Sequence, residues 1–351
     1  KDASRWKTGD KWRSFGWNVI EVDGHRIEQI SNAIERAKKI KGLPTIIIAR
    51  TIKGKAVEHM EDNPQWHGKA AKAEFVPIID QELDSQFMIA PSIIAGDMTN
   101  LEKEVKRCDD GRADYIHLDV MDGQFVPNTT FDYVKIKELR PATMIPFDTH
   151  LMINEPVRHV KDYVDAGSDI ITVHTEVCDE SSFGEIHDLL KSSQVGVGLA
   201  INPDTELPEW AKKFIPSLDQ FIVMSVVPGK SGQKYIESSH EKTQKLVQIL
   251  KEHNFDGYIE ADGGVTLDNA GSCFADGARA FVGGSAIIGQ SDVRVVIREF
   301  RNKILRTRRK LLIQKANDLG GTELVNKWID LHVVGKKKDE LLQIAKELGY
   351  Q

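Results

Sequence analysis

The sequence predicts an α/β fold: a (β/α)8 TIM barrel with an N-terminal βαβ-like fragment and a helical C-terminal extension. Three observations predict it. From residue 88 onward short apolar runs alternate with amphipathic stretches, polar motif residues fall at the ends of those runs, and the pattern changes towards both termini. Eight βα units with polar residues at strand ends suit a barrel whose active site sits on the C-terminal face. An open doubly wound sheet is the alternative, but it would scatter residues that only a closed ring brings to one point.

The elements follow in order. Residues 1–85 hold four of the six tryptophans and read as strand 17–22, helix 27–40 and strand 45–51. This unit is too small to complete a sheet, so its strand edges must dock on the barrel, pair with another chain or stay partly disordered. The barrel, 86–304, takes its strands from 88–95, 115–120, 145–152, 170–174, 195–201, 220–226, 258–261 and 279–282, each followed by a helical stretch. Residues 305–351 complete a basic helix over 301–315 and end in a helix over 337–348, with breaks at Gly320-Gly321 and Gly335. That extension offers no chemistry, and its basic run reads as a solvated helix face.

At 351 residues the chain exceeds the usual single domain, so one sizeable core plus extra segments is expected. A net charge of −6, with acids and bases interspersed, argues against a nucleic-acid partner but leaves small anionic substrates open. Cys108, Cys178 and Cys273 lie far apart without Cys-x-x-Cys spacing, which suggests neither a disulfide framework nor a structural zinc site and fits a reducing cytoplasm. No run approaches the ~20 apolar residues that span a bilayer, and Lys1-Asp-Ala-Ser-Arg-Trp-Lys7 lacks the apolar core of a signal peptide. The expectation is a soluble cytoplasmic protein without a membrane partner.

His117 and Asp119 stand two apart on one strand, so both point to the same face and can reach one ion. Alone, such a pair is more often a satisfied structural one. His150 near the end of the third barrel strand and Asp262 at the end of the seventh change that balance, since two histidines and two aspartates then converge. Imidazole and carboxylate suit Zn2+, Fe2+, Mn2+ or Co2+ equally. A carboxylate beside a carbon acid can take a proton while a cation stabilises enediolate oxygens, and two carboxylates on opposite faces would invert a stereocentre.

Glycine-rich turns at Pro228-Gly229-Lys230-Ser231-Gly232, Gly263-Gly264 and Gly283-Gly284-Ser285 follow the last three barrel strands, where barrels commonly bind phosphate on backbone amides. One such turn only reverses the chain; three at adjacent strand ends favour a phosphate site. Met121, Met152 and Met224 also fall at strand ends, as apolar filler or as a wall that keeps water from an enediolate. His174 and Glu176 read as structural or as hydrogen-bonding support.

Over 88–304 the chain resembles the ribulose-phosphate 3-epimerase family, through Ala90-Pro-Ser92-Ile-Ile, His117-Leu-Asp-Val-Met-Asp-Gly-Gln-Phe-Val-Pro-Asn128 and Asp148-Thr-His-Leu-Met152. The resemblance implies a barrel enzyme that interconverts D-ribulose 5-phosphate and D-xylulose 5-phosphate through a cis-enediolate. It implies one divalent metal on His117, Asp119, His150 and Asp262, with Asp119 and Asp262 as the acid/base pair. Ser92 and His150 would contact the substrate, Gly229, Lys230, Ser231, Gly232, Gly263, Gly264, Gly284 and Ser285 would hold its phosphate, and Met121, Met152 and Met224 would wall the enediolate.

Some family positions differ: Ala95-Gly96 stands for Ser-Ala, and Val227-Pro-Gly-Lys-Ser-Gly-Gln233 for Asn-Pro-Gly-Phe-Gly-Gly-Gln. Lys230 and Ser231 thereby open D-allulose 6-phosphate as an alternative substrate. A related group of decarboxylases and aldolases carries Asp-x-Lys-x-x-Asp, but Asp119 is followed by Val120-Met121-Asp122, which argues against carbon–carbon cleavage.

The first segment resembles the cofactor-binding portion of transketolase, through Phe15-Gly-Trp-Asn-Val-Ile-Glu-Val-Asp-Gly24, Ala49-Arg-Thr-Ile-Lys-Gly-Lys55 and Asn63-Pro-Gln-Trp-His-Gly68. His67 matches a histidine near thiamine diphosphate in that family, yet the Gly-Asp-Gly stretch that holds metal and diphosphate is absent, so thiamine diphosphate is not expected. The contrasting function is a non-catalytic barrel that recruits a transketolase-like partner. Homo-oligomerisation is left open.

Overall fold

Ten strands form among the described residues of the computed structural model, which are 8–332 and 336–350. They are β1 (Asn18–Asp23), β2 (Thr45–Arg50), β3 (Met88–Pro91), β4 (Ile116–Met121), β5 (Phe147–Met152), β6 (Ile170–His174), β7 (Gly196–Ile201), β8 (Gln220–Met224), β9 (Tyr258–Asp262) and β10 (Ala280–Gly283). What the sequence suggested of 1–7 and of Gly335 lies outside the described residues.

Strands β3 to β10 form one eight-stranded sheet in the order β3-β10-β9-β8-β7-β6-β5-β4, and each neighbouring pair is parallel. The ring closes where Ser92 bridges His117 and Asp114 N donates to Ile89 O at 3.0 Å. All eight expected barrel strands form. The first ends sooner than expected, because after Pro91 the backbone turns into a short 3-10 helix, Ile93–Ala95.

Each barrel strand is buried on both faces, which is why it reads as an apolar run rather than a clean alternation. Leu118, Val120, Leu151, Val173, Leu199 and Phe221 join the main core. The alternate residues, among them His117, Asp119 and Met121, take the opposite face and fill the ring. Ala90, Tyr115, Ile170 and Val282 make a separate apolar cluster. Full burial of one such aliphatic or aromatic side chain contributes about 1.5–3 kcal/mol, so this interior is a packed core and not a pore.

The helices between strands start where the sequence supplies caps. Asn100 accepts from Lys103 N at the head of Leu101–Asp110, and Asp179 forms a capping box with Ser182 at the head of Glu180–Ser192.

The barrel unit runs Ser85–Leu311, and the second unit combines Lys1–Asp84 with Leu312–Gln351. The sequence sets 1–85 and 305–351 apart as two segments; most of each falls in this one compact unit. Within the second unit β1 and β2 pair in parallel, and Val57, Phe75 and Ile78 share one core with Ile313, Val325 and Trp328. The basic run belongs to a helix, Val293–Asp330, that begins earlier than expected and breaks at Gly320 and Gly321, the latter at φ 62°, where only glycine is at ease. Arg308 and Arg309 on it are buried, so the run is more than a solvated face. Among the described residues no helix is long and apolar enough to cross a membrane.

Candidate active site

Strand register assembles the polar cluster. Asp119 lies opposite His150, and His117 opposite Asp148, in the β4–β5 ladder, while Met224 lies opposite Asp262 in the β8–β9 ladder. Because residues two apart share a face, the pairs 117/119, 148/150 and 260/262 all point into the ring. His117 Nε2 stands 3.4 Å from Asp119 Oδ1 and 3.5 Å from Asp262 Oδ2; His150 Nδ1 stands 3.5 Å and 3.2 Å from the same two oxygens.

His117 Nε2, His150 Nδ1 and Asp262 Oδ2 are buried without a hydrogen-bond partner among the described residues. Buried polar atoms cost free energy unless they are satisfied, and here carboxylates outnumber imidazoles. A divalent cation answers both deficits. Adjacent ligands ~2.0–2.1 Å from a shared ion stand roughly 3–3.5 Å apart, which matches the four separations above. The residues therefore fit a metal ion, and one ligand atom from each of the four lies within 4.8 Å of every other.

The surroundings orient both imidazoles. His117 Nδ1 lies 2.8 Å from Asp148 Oδ2 and 3.3 Å from Glu260 Oε1, so its second nitrogen faces carboxylates and Nε2 is left for the ion. His150 Nε2 lies 2.8 Å from His174 Nε2, and His174 Nδ1 lies 3.1 Å from Glu176 Oε2. Ser92 Oγ donates to Asp119 Oδ2. Ser225, whose N and Oγ both donate to Asp262 O and whose Oγ also donates to Gly263 O, braces the turn after β9.

Electrostatics follow from this packing. Burial alone would lower both ligand histidines, but Asp119, Asp148 and Glu260 raise His117 well above the ordinary range. Asp119 and Asp262 likewise lift His150 to about 9 against the cost of burial. Burial would raise Asp119 and Asp262, yet the two histidines hold both below the usual carboxylate range. Burial and the charge of Asp148 push Glu260 up to about 8. Burial takes His174 down to about 4; burial would raise Glu176, but hydrogen bonds from His174, Thr205 and Asn202 N together hold it at about 2.

A cleft of about 240 Å3 opens above this cluster. Ser92, Asp119, Asp262, Met121, Met152 and Met224 line it, and so do Gly229, Lys230, Ser231, Gly232, Gly263, Gly264, Gly284 and Ser285. The proposed catalytic pair, the methionines and the three glycine turns thus meet at one opening. The three methionines are themselves buried, as filler would be, while bordering the cleft. His117 and His150 do not line it and are fully buried.

Gly263 and Gly264 adopt φ of 111° and 65°, and a Cβ on Gly264 would sit 2.4 Å from Tyr235 N. The segment carrying Gly229 to Gly232 is tied across the opening by Asn128 Nδ2, which donates to Gly229 O at 2.6 Å, and folded on itself by Gln233 Nε2, which donates to Val227 O at 2.6 Å.

Sequence reasoning gave no role to Asp148, Glu260, Ser225 or Asn128. Asp148 and Glu260 sit two residues before His150 and Asp262, and that spacing was the signal that could have found them. Ser225 and Asn128 act through backbone atoms of distant turns, for which the sequence holds no local sign. His174, read as structural or as hydrogen-bonding support, contacts His150 directly.

The family model described as "Ribulose-phosphate 3 epimerase family" matches residues 88–288, and that of the transketolase thiamine diphosphate binding domain matches 2–112. The stretch common to both, 88–112, belongs in the structure to the barrel unit. Over 223 residues, 63% of this chain and 78% of the relative, the chain is 38% identical to the chloroplastic ribulose-5-phosphate-3-epimerase of Arabidopsis thaliana. Over 214 residues, 61% of this chain and 97% of the relative, it is 39% identical to the ribulose-phosphate 3-epimerase of Bacillus subtilis. The crystal structure of KGPDC from Streptococcus mutans superposes with a TM-score of 0.50 at 12% identity, over 63% of this chain and 98% of that one, a likeness of fold alone.

Proposed function

Because the chain belongs to the ribulose-phosphate 3-epimerase family and is an isomerase of that class, we propose that it interconverts D-ribulose 5-phosphate and D-xylulose 5-phosphate with Asp119 and Asp262 as the proton-transferring pair. The observation that carries this reading is that both carboxylates line one cleft directly above two buried histidines. One carboxylate takes the C3 proton and leaves an enediolate; the other returns a proton to the opposite face of C3. The two aspartates then hold swapped protonation states and reset by exchange with water.

His117, Asp119, His150 and Asp262 would hold one divalent ion, whose charge stabilises the enediolate oxygens. Ser92, donating to Asp119 Oδ2, keeps that carboxylate aimed. Met121, Met152 and Met224 present thioethers rather than water to the reacting carbons. The turns at Gly229 to Gly232, Gly263-Gly264 and Gly284-Ser285 would receive the phosphate on backbone amides, with Lys230 adding positive charge.

The test is proton NMR in deuterium oxide of ribulose 5-phosphate with metal-loaded protein. Deuterium at C3 together with xylulose 5-phosphate is the expected result. Because Lys230 and Ser231 stand at the cleft, D-allulose 6-phosphate is the second substrate in the same assay. Absence of exchange with both ketose phosphates, under each of Zn2+, Fe2+, Mn2+ and Co2+, would overturn the epimerase reading in favour of a non-catalytic barrel.

A further inference from the structure

A neutral imidazole carries one N–H, so a histidine that offers one nitrogen to a metal must place its proton on the other. His150 turns Nδ1 towards Asp119 and Asp262, at 3.5 Å and 3.2 Å, which leaves Nε2 to carry the hydrogen. A buried N–H needs an acceptor, and the atom at hand is His174 Nε2, 2.8 Å away. An imidazole nitrogen accepts only when its ring proton sits on the other nitrogen.

For His174 that other nitrogen is Nδ1, 3.1 Å from Glu176 Oε2. An ionised carboxylate can only accept, so it draws the His174 proton to Nδ1 and frees Nε2 as an acceptor. Glu176 is itself fixed, because Oε1 accepts Asn202 N at 2.7 Å just beyond β7. Each step leaves one arrangement of protons, and the direction is set by the carboxylate at the far end.

We propose that Glu176 and His174 act as a positioning relay that holds His150 in its Nε2–H tautomer and keeps Nδ1 available to a divalent cation. The inference rests on the metal-dependent reading above. It separates the two ligand histidines: His117 is oriented directly by Asp148, whereas His150 is oriented through a second imidazole. His174 and Glu176 are positioning residues and touch neither substrate nor cation.

The test is a Co2+ titration of the full chain, followed by visible absorption and by competition with a chelator, on wild type, His174→Phe, His174→Gln and Glu176→Leu. His174→Phe keeps a ring of similar size but removes the acceptor, and Co2+ affinity is expected to fall about 10- to 100-fold. His174→Gln restores an acceptor oxygen and should recover most of the loss, which a purely space-filling role does not predict. Glu176→Leu lies towards the edge of the site and should weaken Co2+ binding in the same direction; it decides the matter if His174→Phe does not fold.

A folded His174→Phe or Glu176→Leu that binds Co2+ as wild type does would overturn the relay while leaving the metal reading intact. Failure of the wild type to take up Co2+ would overturn the metal reading and the relay with it.

Discussion

Asp119 and His150 lie directly opposite one another on β4 and β5, and that register brings Asp119 Oδ1 to 3.5 Å from His150 Nδ1. One carboxylate is thereby shared between two tasks, bordering the ion site through Oδ1 while lining the cleft. Replacing Asp119 with Asn preserves shape but removes the proton acceptor and one anionic ligand. Turnover of ribulose 5-phosphate is expected to fall at least about 100-fold, the lower range for a lost general base, with circular dichroism unchanged. A folded Asp119→Asn protein that epimerises at the wild-type rate would remove Asp119 from the mechanism.

Metal loading should be coupled to protons. In the metal-free protein His150 titrates at about 9, so at pH 7 it is charged and must lose a proton to ligate. A Zn2+ titration in weak buffer at pH 7 is expected to release protons, and apparent affinity should rise from pH 6 towards 9. The sign for stability follows. A histidine raised above 6.5 stabilises the metal-free fold below that value and loses the contribution as pH rises through about 9. Glu260, an acid raised to about 8, also favours the fold while protonated and loses that as pH rises. Thermal melting of metal-free protein should therefore give a lower Tm at pH 9 than at pH 6, and saturating Zn2+ should reduce the difference.

The turn after β9 gives a test of the phosphate end. Gly264 at φ 65° has no room for a side chain, since a Cβ would meet Tyr235 N at 2.4 Å and Tyr235 Cα at 2.7 Å. Both contacts are at backbone or next to it, so neither can rotate away. Gly264→Ala should cost more than about 1 kcal/mol of stability and displace the turn. The expected kinetic outcome is a raised KM for the phosphorylated ketose with a smaller change in kcat, the pattern of lost uniform binding. A variant with wild-type KM would take the phosphate away from this turn.

The barrel was legible because its strands are short apolar runs and its polar residues interrupt them at ends. His117, Asp119, His150 and Asp262 stood out as exceptions to burial rules, and their convergence needed only the assumption of a closed ring. Asp148 and Glu260 were harder to see, because each precedes a more conspicuous residue and its partner, His117, lies on another strand. The terminal packing was hidden for a different reason. Val325 and Trp328, three apart on one helical stretch, mark an apolar face, but nothing local says that Val57 and Phe75 are what cover it.

That packing changes how the terminal segments should be removed. Deleting 1–84 alone would strip Val57, Phe75 and Ile78 from a core whose other half, including Ile313, Val325 and Trp328, stays on the chain. The exposed apolar surface should make such a protein self-associate, visible as increased light scattering. Cutting at both unit boundaries removes the second core whole and leaves 85–311, which contains the entire 88–288 family match and every residue assigned to the site. If the terminal unit is an appendage to the chemistry, the 85–311 chain should keep kcat/KM within about tenfold of the full chain, since function resides in the site. A folded but inactive 85–311 chain, with wild-type Co2+ uptake, would mean that the terminal unit contributes to turnover itself.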